Sequence, residues 1–179
     1  MIGLTESAEQ YLARGYSPAR QARGYQRFRR YGMPFSTQPR RRIAATGRAC
    51  RAVVATRLLD APRELEAFRA LQLGMFTGGL VLDEDADIAL ALERVPGLDV
   101  RAIVGALDDP EVERAYEADR SEARTAAGSP TEFQGKAANY DGRVRYTAPS
   151  LKFAQGDPTA MFQAVRVVGQ LKAEVLEYR

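Results

Sequence analysis

Residues that start or stop helices divide the chain into short segments, and their spacing constrains the fold more than any other feature. The segments 17–32 and 109–128 each open on a good N-cap residue, followed by a proline suited to the first helical position, and each closes on a glycine. Similar segments, with apolar residues three or four positions apart, recur along the chain. The sequence therefore predicts about seven helices around very little sheet.

Four of these helices are predicted between the two proline-capped segments, and the last of them is a short helix in LDVRAIVGALDD. Thr46 is expected to cap a helix over 47–59, whose apolar rhythm places Cys50 on the buried face. Asp83 is expected to cap a helix that begins with acidic residues, where the helix dipole favours them. Pro62 opens the helix between them, and its core candidates are Leu65, Phe68, Leu71, Leu73 and Phe76.

Strand character is confined to RVRYTAPSLKF, residues 143–153. Proline cannot donate a hydrogen bond to a sheet, so Pro149 is expected at the start, the edge or a bulge of this strand. The preceding segment, 129–142, is predicted to be a polar loop, and an amphipathic helix is predicted over 159–179. The expected fold class is mostly α, within the α+β proteins.

The residue types that the chain lacks exclude several chemistries. It contains no histidine and one cysteine, Cys50. A Ser-His-Asp triad, an imidazole base, a Cys/His zinc site and an internal disulfide are therefore excluded within this chain. No run of about 18 apolar residues suggests a membrane span, and residues 1–10 do not resemble a secretory signal. A cytoplasmic location without a membrane partner is expected.

Positive charge is concentrated in the first third of the chain. Residues 10–59 contain twelve arginines and no acidic residue. Arginines interleaved with aromatic residues suit phosphates and bases, which makes nucleic acid one alternative partner. However, arginine outnumbers lysine 23 to 3 in the whole chain, which indicates general composition. Nucleic acid is therefore not the expected partner, and the basic helix is expected to face solvent or the acidic helices between residues 83 and 122.

Two smaller features each have a structural and a functional interpretation. Cys50 lies beside Arg48 and Arg51, which would favour its thiolate, but a small buried residue on an apolar helix face is the preferred interpretation. The acidic residues at 83–87 would suit a cation, but helix capping explains them and no metal is expected.

Five stretches of sequence follow one another along the chain. They are GYSPARQARGYQRFRRYGMPF, ACRAVVATRL, FRALQLGMFTGGLVLDEDADIALALERVPGLDV, LDDPEVERAYEADRSEARTAAGSPTEFQGKAA and VRYTAPSLKF. Their order and spacing resemble the DsbA-like thioredoxin-fold family, and most closely its cytoplasmic FrnE-like branch. That branch is related to the 2-hydroxychromene-2-carboxylate isomerases. The resemblance extends from about residue 1 to residue 154.

The resemblance implies a domain organisation. In that family a helical domain is inserted into a thioredoxin unit, and the chain returns to the sheet through a strand preceded by a cis-proline. Residues 1–4 would be the remnant of a thioredoxin strand, 5–127 the all-α insertion domain, and 128–179 the C-terminal thioredoxin-fold portion. The Cys-x-x-Cys helix is not in this sequence, and helix-like sequence follows residue 153 where an edge strand is expected. An incomplete β-sheet is therefore expected, as if the chain began late.

The resemblance also implies an activity and a site. Complete relatives are disulfide oxidoreductases that act on substrate proteins or small disulfides. Thr147, Ala148 and Pro149 would form the cis-proline loop beside the reactive thiol. Thiol–disulfide exchange needs a low-pKa thiolate, which the family takes from the Cys-x-x-Cys helix. No catalytic residue is therefore identified here, and little or no oxidoreductase activity is expected. No bound cofactor is expected either, although a low-molecular-weight thiol is a hypothetical co-substrate.

Two other functions stay open. The isomerase relatives imply a thiol-dependent, glutathione-type isomerase. The other alternative is a non-enzymatic module that binds an anion or a nucleic acid through the Arg-rich residues 14–57. An open sheet edge could also recruit another chain, so a homodimer is a further hypothesis.

Overall fold

The computed structural model describes residues 6–135, 137–140 and 143–147, and this part of the chain is mostly helical. Its helices are α1 Ala8–Leu12, α2 Pro18–Gln26, α3 Gly47–Leu59, α4 Glu64–Phe76, α5 Asp85–Leu92, α6 Val100–Gly105, α7 Pro110–Ala123 and α8 Pro130–Phe133. Two strands follow, β1 Ala137–Tyr140 and β2 Arg143–Tyr146. The predicted mostly-α class is confirmed.

Three helices, α2, α3 and α7, begin directly after the residues predicted to cap them. The Ser17 hydroxyl accepts a 3.2 Å hydrogen bond from the backbone N–H of Arg20, and Pro18 begins α2. Thr46 and Asp109 occupy the N-cap positions of α3 and α7 as predicted, but neither side chain makes a capping hydrogen bond. The sequence signals therefore locate these helix starts even where the expected bond is not made.

Both helices predicted to end at a glycine end earlier than predicted. α2 stops at Gln26 and is followed by a 3₁₀ turn at Arg29–Tyr31, and Gly32 then adopts a φ of 69°. α7 stops at Ala123 because the chain turns to meet β2, where the N–H of Ala126 donates to the Val144 carbonyl at 3.1 Å. After α7 a tertiary hydrogen bond therefore replaces the last predicted helical turn, whereas after α2 a local 3₁₀ turn does so.

The prediction that Asp83 caps α5 is wrong. The helix begins at Asp85 with Glu84 in the N-cap position. The Asp83 carboxylate faces the preceding loop instead, where it accepts hydrogen bonds from the backbone N–H of Ala45 at 2.8 Å and from Arg42 at 2.9 Å. A long-range bond has therefore taken the place of a local cap.

The core lies between α3 and the helices around it, since α3 contacts α4, α6 and α7. Leu71 is buried as predicted, but Leu65 is 75% exposed and the prediction that it is a core residue is wrong. The other buried residues of α4 are small, namely Ala67, Ala70 and Gly74, and they let the neighbouring helices approach closely. The largest fully buried side chains are Tyr116, Leu82, Ile88, Leu92, Ile103, Leu107, Val54, Val81 and Thr56.

The two strands form an antiparallel pair in which Ala137 lies opposite Tyr146 and Tyr140 opposite Arg143. The prediction that 143–153 holds the only strand is wrong, and so is the polar loop at 129–142, which contains α8 and β1. The sequence of β1 has little strand propensity, so pairing with β2 supplies its extended form.

Several predictions lie outside the described residues. These are the strand remnant at 1–4, Ala148 and Pro149, and the C-terminal helix over 159–179. Helices α1 to α7 fall within 5–127, the range predicted for the helical domain. None of the helices in the described part of the chain combines the length and the apolar character needed to cross a bilayer.

Candidate functional site

Cys50 lies on α3, half-buried, where it packs against the hydrophobic core as predicted. The two arginines that flank it in sequence are bound to carboxylates. Arg48 donates to Asp85 and Asp108, and Arg51 donates to Glu113 at 2.6 Å. Because these guanidinium groups are held by anions, they favour a structural role for the helix face around Cys50 over an activated thiol.

A buried tyrosine joins α7 to the start of the described chain. The Tyr116 side chain is fully buried, and its hydroxyl donates a 2.6 Å hydrogen bond to the Glu6 carboxylate. The guanidinium of Arg51 lies 4.3 Å from the Tyr116 ring centre and donates to Glu6 at 2.9 Å. The guanidinium of Arg120 lies 5.5 Å from the same ring centre. Sequence reasoning missed this network because Glu6 and Tyr116 are 110 positions apart.

Arginines from residues 41–57 pair with acidic residues of other elements. Arg42 contacts Asp83 and Glu84, while Arg57 contacts Asp119 at 3.2 Å. Arg41 joins the first group through Glu84 and Asp87. These ion pairs join residues 41–57 to the acidic segments, whereas the arginines of α2, the basic helix of the prediction, face solvent, which was the other expectation.

A groove of about 790 Å³ opens between α1, the loop before α3 and the start of α3. Its lining includes four arginines, Arg41, Arg42, Arg48 and Arg51. The three acids that line it are Glu6, Glu9 and Asp83, and further carboxylates behind it hold the same arginines. The groove is therefore close to electrically neutral and gives an anion little attraction.

Hydrogen bonds lower the pKa values of three carboxyl groups in this region, those of Glu6, Asp83 and Asp85. Burial alone would raise the pKa of Glu6, but hydrogen bonds from Tyr116 and Arg51 outweigh it and lower that pKa. Burial is likewise outweighed for Asp83, where bonds from Arg42 and the Ala45 N–H lower the pKa. The hydrogen bond from Arg48 lowers the pKa of Asp85. Since a general acid at neutral pH needs a raised pKa, these carboxylates suit ion pairing and not proton donation.

A second set of arginines remains at the surface. We call residues 16–31 the basic surface: Arg20, Arg23, Arg27, Arg29 and Arg30 are all exposed there. Three aromatic side chains, Tyr16, Phe28 and Tyr31, are between 42% and 49% exposed in the same stretch. The basic surface thus keeps its charge and its rings accessible, in contrast to the paired arginines of α3.

Strand β2 is tied to the helical body just before the predicted proline loop. The Val144 carbonyl accepts from the N–H of Ala126, and the Tyr146 hydroxyl lies 3.4 Å from the Thr125 carbonyl. Thr147 directly follows β2 and is the last described residue of this segment, whereas Ala148 and Pro149 lie outside it. Thr147 and Cys50 lie in separate parts of the fold, Thr147 directly after β2 and Cys50 on α3.

The described residues contain no cluster of three or more Cys, Asp or Glu side chains suited to a metal ion. The acids at 83–87 instead bind arginines and backbone. For example, Asp87 accepts from the N–H of Val81 at 2.6 Å.

Comparisons with family models, with curated proteins and with solved structures each returned no match to this chain.

Proposed function

We propose that the chain is the helical domain and the cis-proline side of a DsbA-like thioredoxin-fold protein. In this proposal the helical body positions the loop at Thr147, Ala148 and Pro149, and a thiol that meets this loop exchanges disulfides with substrate proteins or small disulfides. The chain itself has little or no oxidoreductase activity, because one half-buried cysteine cannot form the dithiol that resolves a mixed disulfide.

The observation that carries the proposal is the attachment of β2 to the helical body. The Ala126 N–H donates to the Val144 carbonyl at 3.1 Å, three residues before Thr147, and the Tyr146 hydroxyl makes a longer 3.4 Å contact with the Thr125 carbonyl. A loop that presents its backbone to a reacting thiol needs such support, because a small misplacement of reacting groups slows a reaction strongly. The order of elements, a helical body followed by a strand and then Thr147-Ala148-Pro149, also supports it.

The loop prediction is tested by the isomer of the Ala148–Pro149 bond. The ¹³Cβ and ¹³Cγ chemical shifts of Pro149 distinguish cis from trans in the full chain, and a cis bond is expected. A trans bond in the folded protein would contradict the proposal.

The activity prediction is tested by insulin reduction with dithiothreitol as electron donor. The wild-type chain and Cys50→Ser are expected to match the uncatalysed rate. Turnover that depends on Cys50 would show a thiol mechanism of the chain's own and would reject this part of the proposal, whatever the isomer of Pro149.

We propose, as a second candidate, that the basic surface binds an extended polyanion. The supporting observation is the contrast between the two groups of arginines. Those of residues 41–57 are paired with carboxylates, whereas five on the basic surface are exposed beside exposed aromatic rings. Arginine neutralises phosphates and aromatic rings stack on bases, which favours single-stranded nucleic acid among polyanions.

The second candidate is tested by titrating a labelled single-stranded oligonucleotide at several salt concentrations. The double variant Arg23→Gln/Arg27→Gln should bind more weakly, and its slope of log K against log salt should shrink by about 1.4, since each lost phosphate contact removes about 0.7. The control is Arg101→Gln, an exposed arginine on α6. No wild-type binding near physiological salt, or equal effects of the variant and the control, would discard the candidate.

A further inference from the structure

A second groove, which we call the α4 groove, lies between α4 and the turn that follows α5. Its volume is about 400 Å³, and most of its lining is apolar. The apolar residues that line it are Leu65, Ala70, Leu73, Val95 and Pro96. Leu65, Arg69 and Leu73 are spaced four residues apart, so they share one face of α4. The α4 groove therefore follows about 12 Å of this helix.

The α4 groove is open to solvent along one side. Ala70 and Val95 are buried, whereas Leu65 is 75% exposed and Pro96 is exposed as well. An open groove encloses a small molecule poorly, because small-molecule sites surround most of the surface of their ligand. It is better suited to a longer occupant that lies along it, in the way that an amphipathic helix occupies the apolar groove of its partner.

Charge indicates what kind of helix would fit. Arg69 and Arg94 line the groove and are exposed. Neither guanidinium group makes a hydrogen bond or an ion pair with any residue that the structure describes. Glu66, which also lines the groove, is already paired with Arg63 at 2.9 Å. A complementary occupant therefore carries carboxylates beside its apolar side chains.

We propose that the α4 groove binds an amphipathic helix of another protein, in which acidic residues flank a stripe of large apolar side chains. The stripe covers Leu65 and Leu73, which removes apolar surface from water. The flanking carboxylates bind Arg69 and Arg94, since a guanidinium fork binds paired oxygens through parallel N–H bonds. The apolar contacts supply most of the affinity, and the two arginines select an acidic partner.

The experiment titrates three labelled synthetic peptides of about 20 residues, long enough to form a helix, against the full chain. The first peptide has leucines at helical spacing with glutamates beside them. The second has lysines in place of the glutamates, and the third has the residues of the first in an order that forms no apolar stripe. Fluorescence anisotropy should give a Kd of about 100 μM or tighter for the first peptide, and values at least about tenfold weaker for the other two.

Substitutions on the chain make the assignment specific. Leu65→Ser should weaken binding of the acidic peptide about fivefold or more, because it removes an apolar contact. Its control is Leu59→Ser, a leucine of α3 that is 57% exposed and does not line the groove. The double variant Arg69→Glu/Arg94→Glu should reverse the preference, so that the lysine peptide binds more tightly than the acidic one. A general loss of structure would not produce this reversal.

The proposal is overturned if the acidic peptide does not bind by about 1 mM, or if the acidic and lysine peptides bind equally well. It is also overturned if Leu59→Ser weakens binding as much as Leu65→Ser does, or if both groove variants are folded and bind as the wild type does. Analytical ultracentrifugation without peptide tests a second copy of this chain as the occupant. Self-association that Leu65→Ser abolishes, without any peptide binding, would assign the groove to a homodimer instead.

Discussion

The hydroxyl of Tyr116 donates a 2.6 Å hydrogen bond to the carboxylate of Glu6 and thereby joins the middle of α7 to the segment that precedes α1. The tyrosine is fully buried, whereas the Glu6 side chain is 38% exposed. The bond therefore spans from the core to the surface, with Arg51 contacting both residues. Together with the Arg51–Glu6 ion pair, it links the segment before α1 to the core.

Tyr116→Phe keeps the buried ring and removes this bond. We expect a fall of about 1–2 kcal/mol in the free energy of unfolding, since the lost hydrogen bond is made to a charged acceptor that is partly hydrated. Urea denaturation measures the change. Tyr146→Phe is the control, because its hydroxyl makes only a long 3.4 Å contact with a backbone carbonyl. An equal fall in the free energy of unfolding for both variants would contradict the prediction that the Tyr116–Glu6 bond is the more stabilising one.

Alkaline stability should also depend on Tyr116. Burial, and then the hydrogen bond to Glu6, raise the pKa of Tyr116 above its usual value of about 10. A group whose pKa is raised on folding contributes stability that is complete below the unfolded pKa and is lost as the pH rises beyond it. The wild type should therefore lose stability above about pH 10, and Tyr116→Phe should lose less over the same range. Parallel pH profiles would contradict the prediction.

Acid stability should depend on the carboxylates that bind arginines. The pKa values of Glu6, Asp83, Asp85 and Asp108 are lowered in the folded protein. Lowered pKa values contribute stability that is present above the unfolded values, about 4, and is lost as the pH falls through the folded values. The free energy of unfolding should therefore change little between pH 7 and 5 and fall below about pH 4.

Asp83→Asn isolates the contribution of one of these four carboxylates to the pH dependence of stability. The amide oxygen still accepts from the backbone N–H of Ala45, but the charge that binds Arg42 is gone. The variant should be less stable than the wild type at pH 7, and the two should converge in acid, where wild-type Asp83 is protonated. Urea denaturation at a series of pH values checks this, and a constant difference down to pH 2 would contradict it.

The sequence predicted local features of the fold better than long-range ones. Helix starts such as Ser17-Pro18 were correct because a cap and a proline act within one turn. Asp83 was assigned wrongly because the same carboxylate that could cap α5 binds a loop about 40 positions earlier. β1 was missed because its sequence has little strand propensity and its pairing with β2 determines its conformation.

The candidate sites show the same difference between features that depend on local sequence and features that depend on long-range contacts. Pairing of the α3 arginines with acidic helices could be expected from the charge distribution alone. The network of Glu6, Arg51 and Tyr116 could not, because it joins residues that are up to 110 positions apart in the sequence.

Two leucines of α4 test which face of this helix is buried. Leu71 is 3% exposed and Leu65 is 75% exposed. Leu71→Ala should lower the free energy of unfolding by about 2–5 kcal/mol, because it removes buried methyl groups and leaves a cavity. Leu65→Ala should change it by less than about 0.5 kcal/mol, as surface substitutions do. A large fall in the free energy of unfolding of Leu65→Ala would show that Leu65 lies on the buried face, as the sequence predicts.

Substituting two helical glycines by alanine separates the effect of close helix packing on stability from the effect of helix propensity. A Cβ atom on Gly74 would lie 3.0 Å from a Leu80 methyl and 3.1 Å from the Cβ of Ala91, whereas one on Gly105 meets nothing within 4 Å. The Ala91 Cβ is fixed to the backbone of α5 and cannot rotate away, so Gly74→Ala should force the two helices apart. We expect it to lower the free energy of unfolding by about 1–2 kcal/mol despite the better helix propensity of alanine. Gly105→Ala should be neutral or should raise that free energy by up to about 1 kcal/mol. Thermal and urea denaturation of the two variants measure the difference, and stabilisation by both substitutions would mean that α4 and α5 do not require the close approach at Gly74.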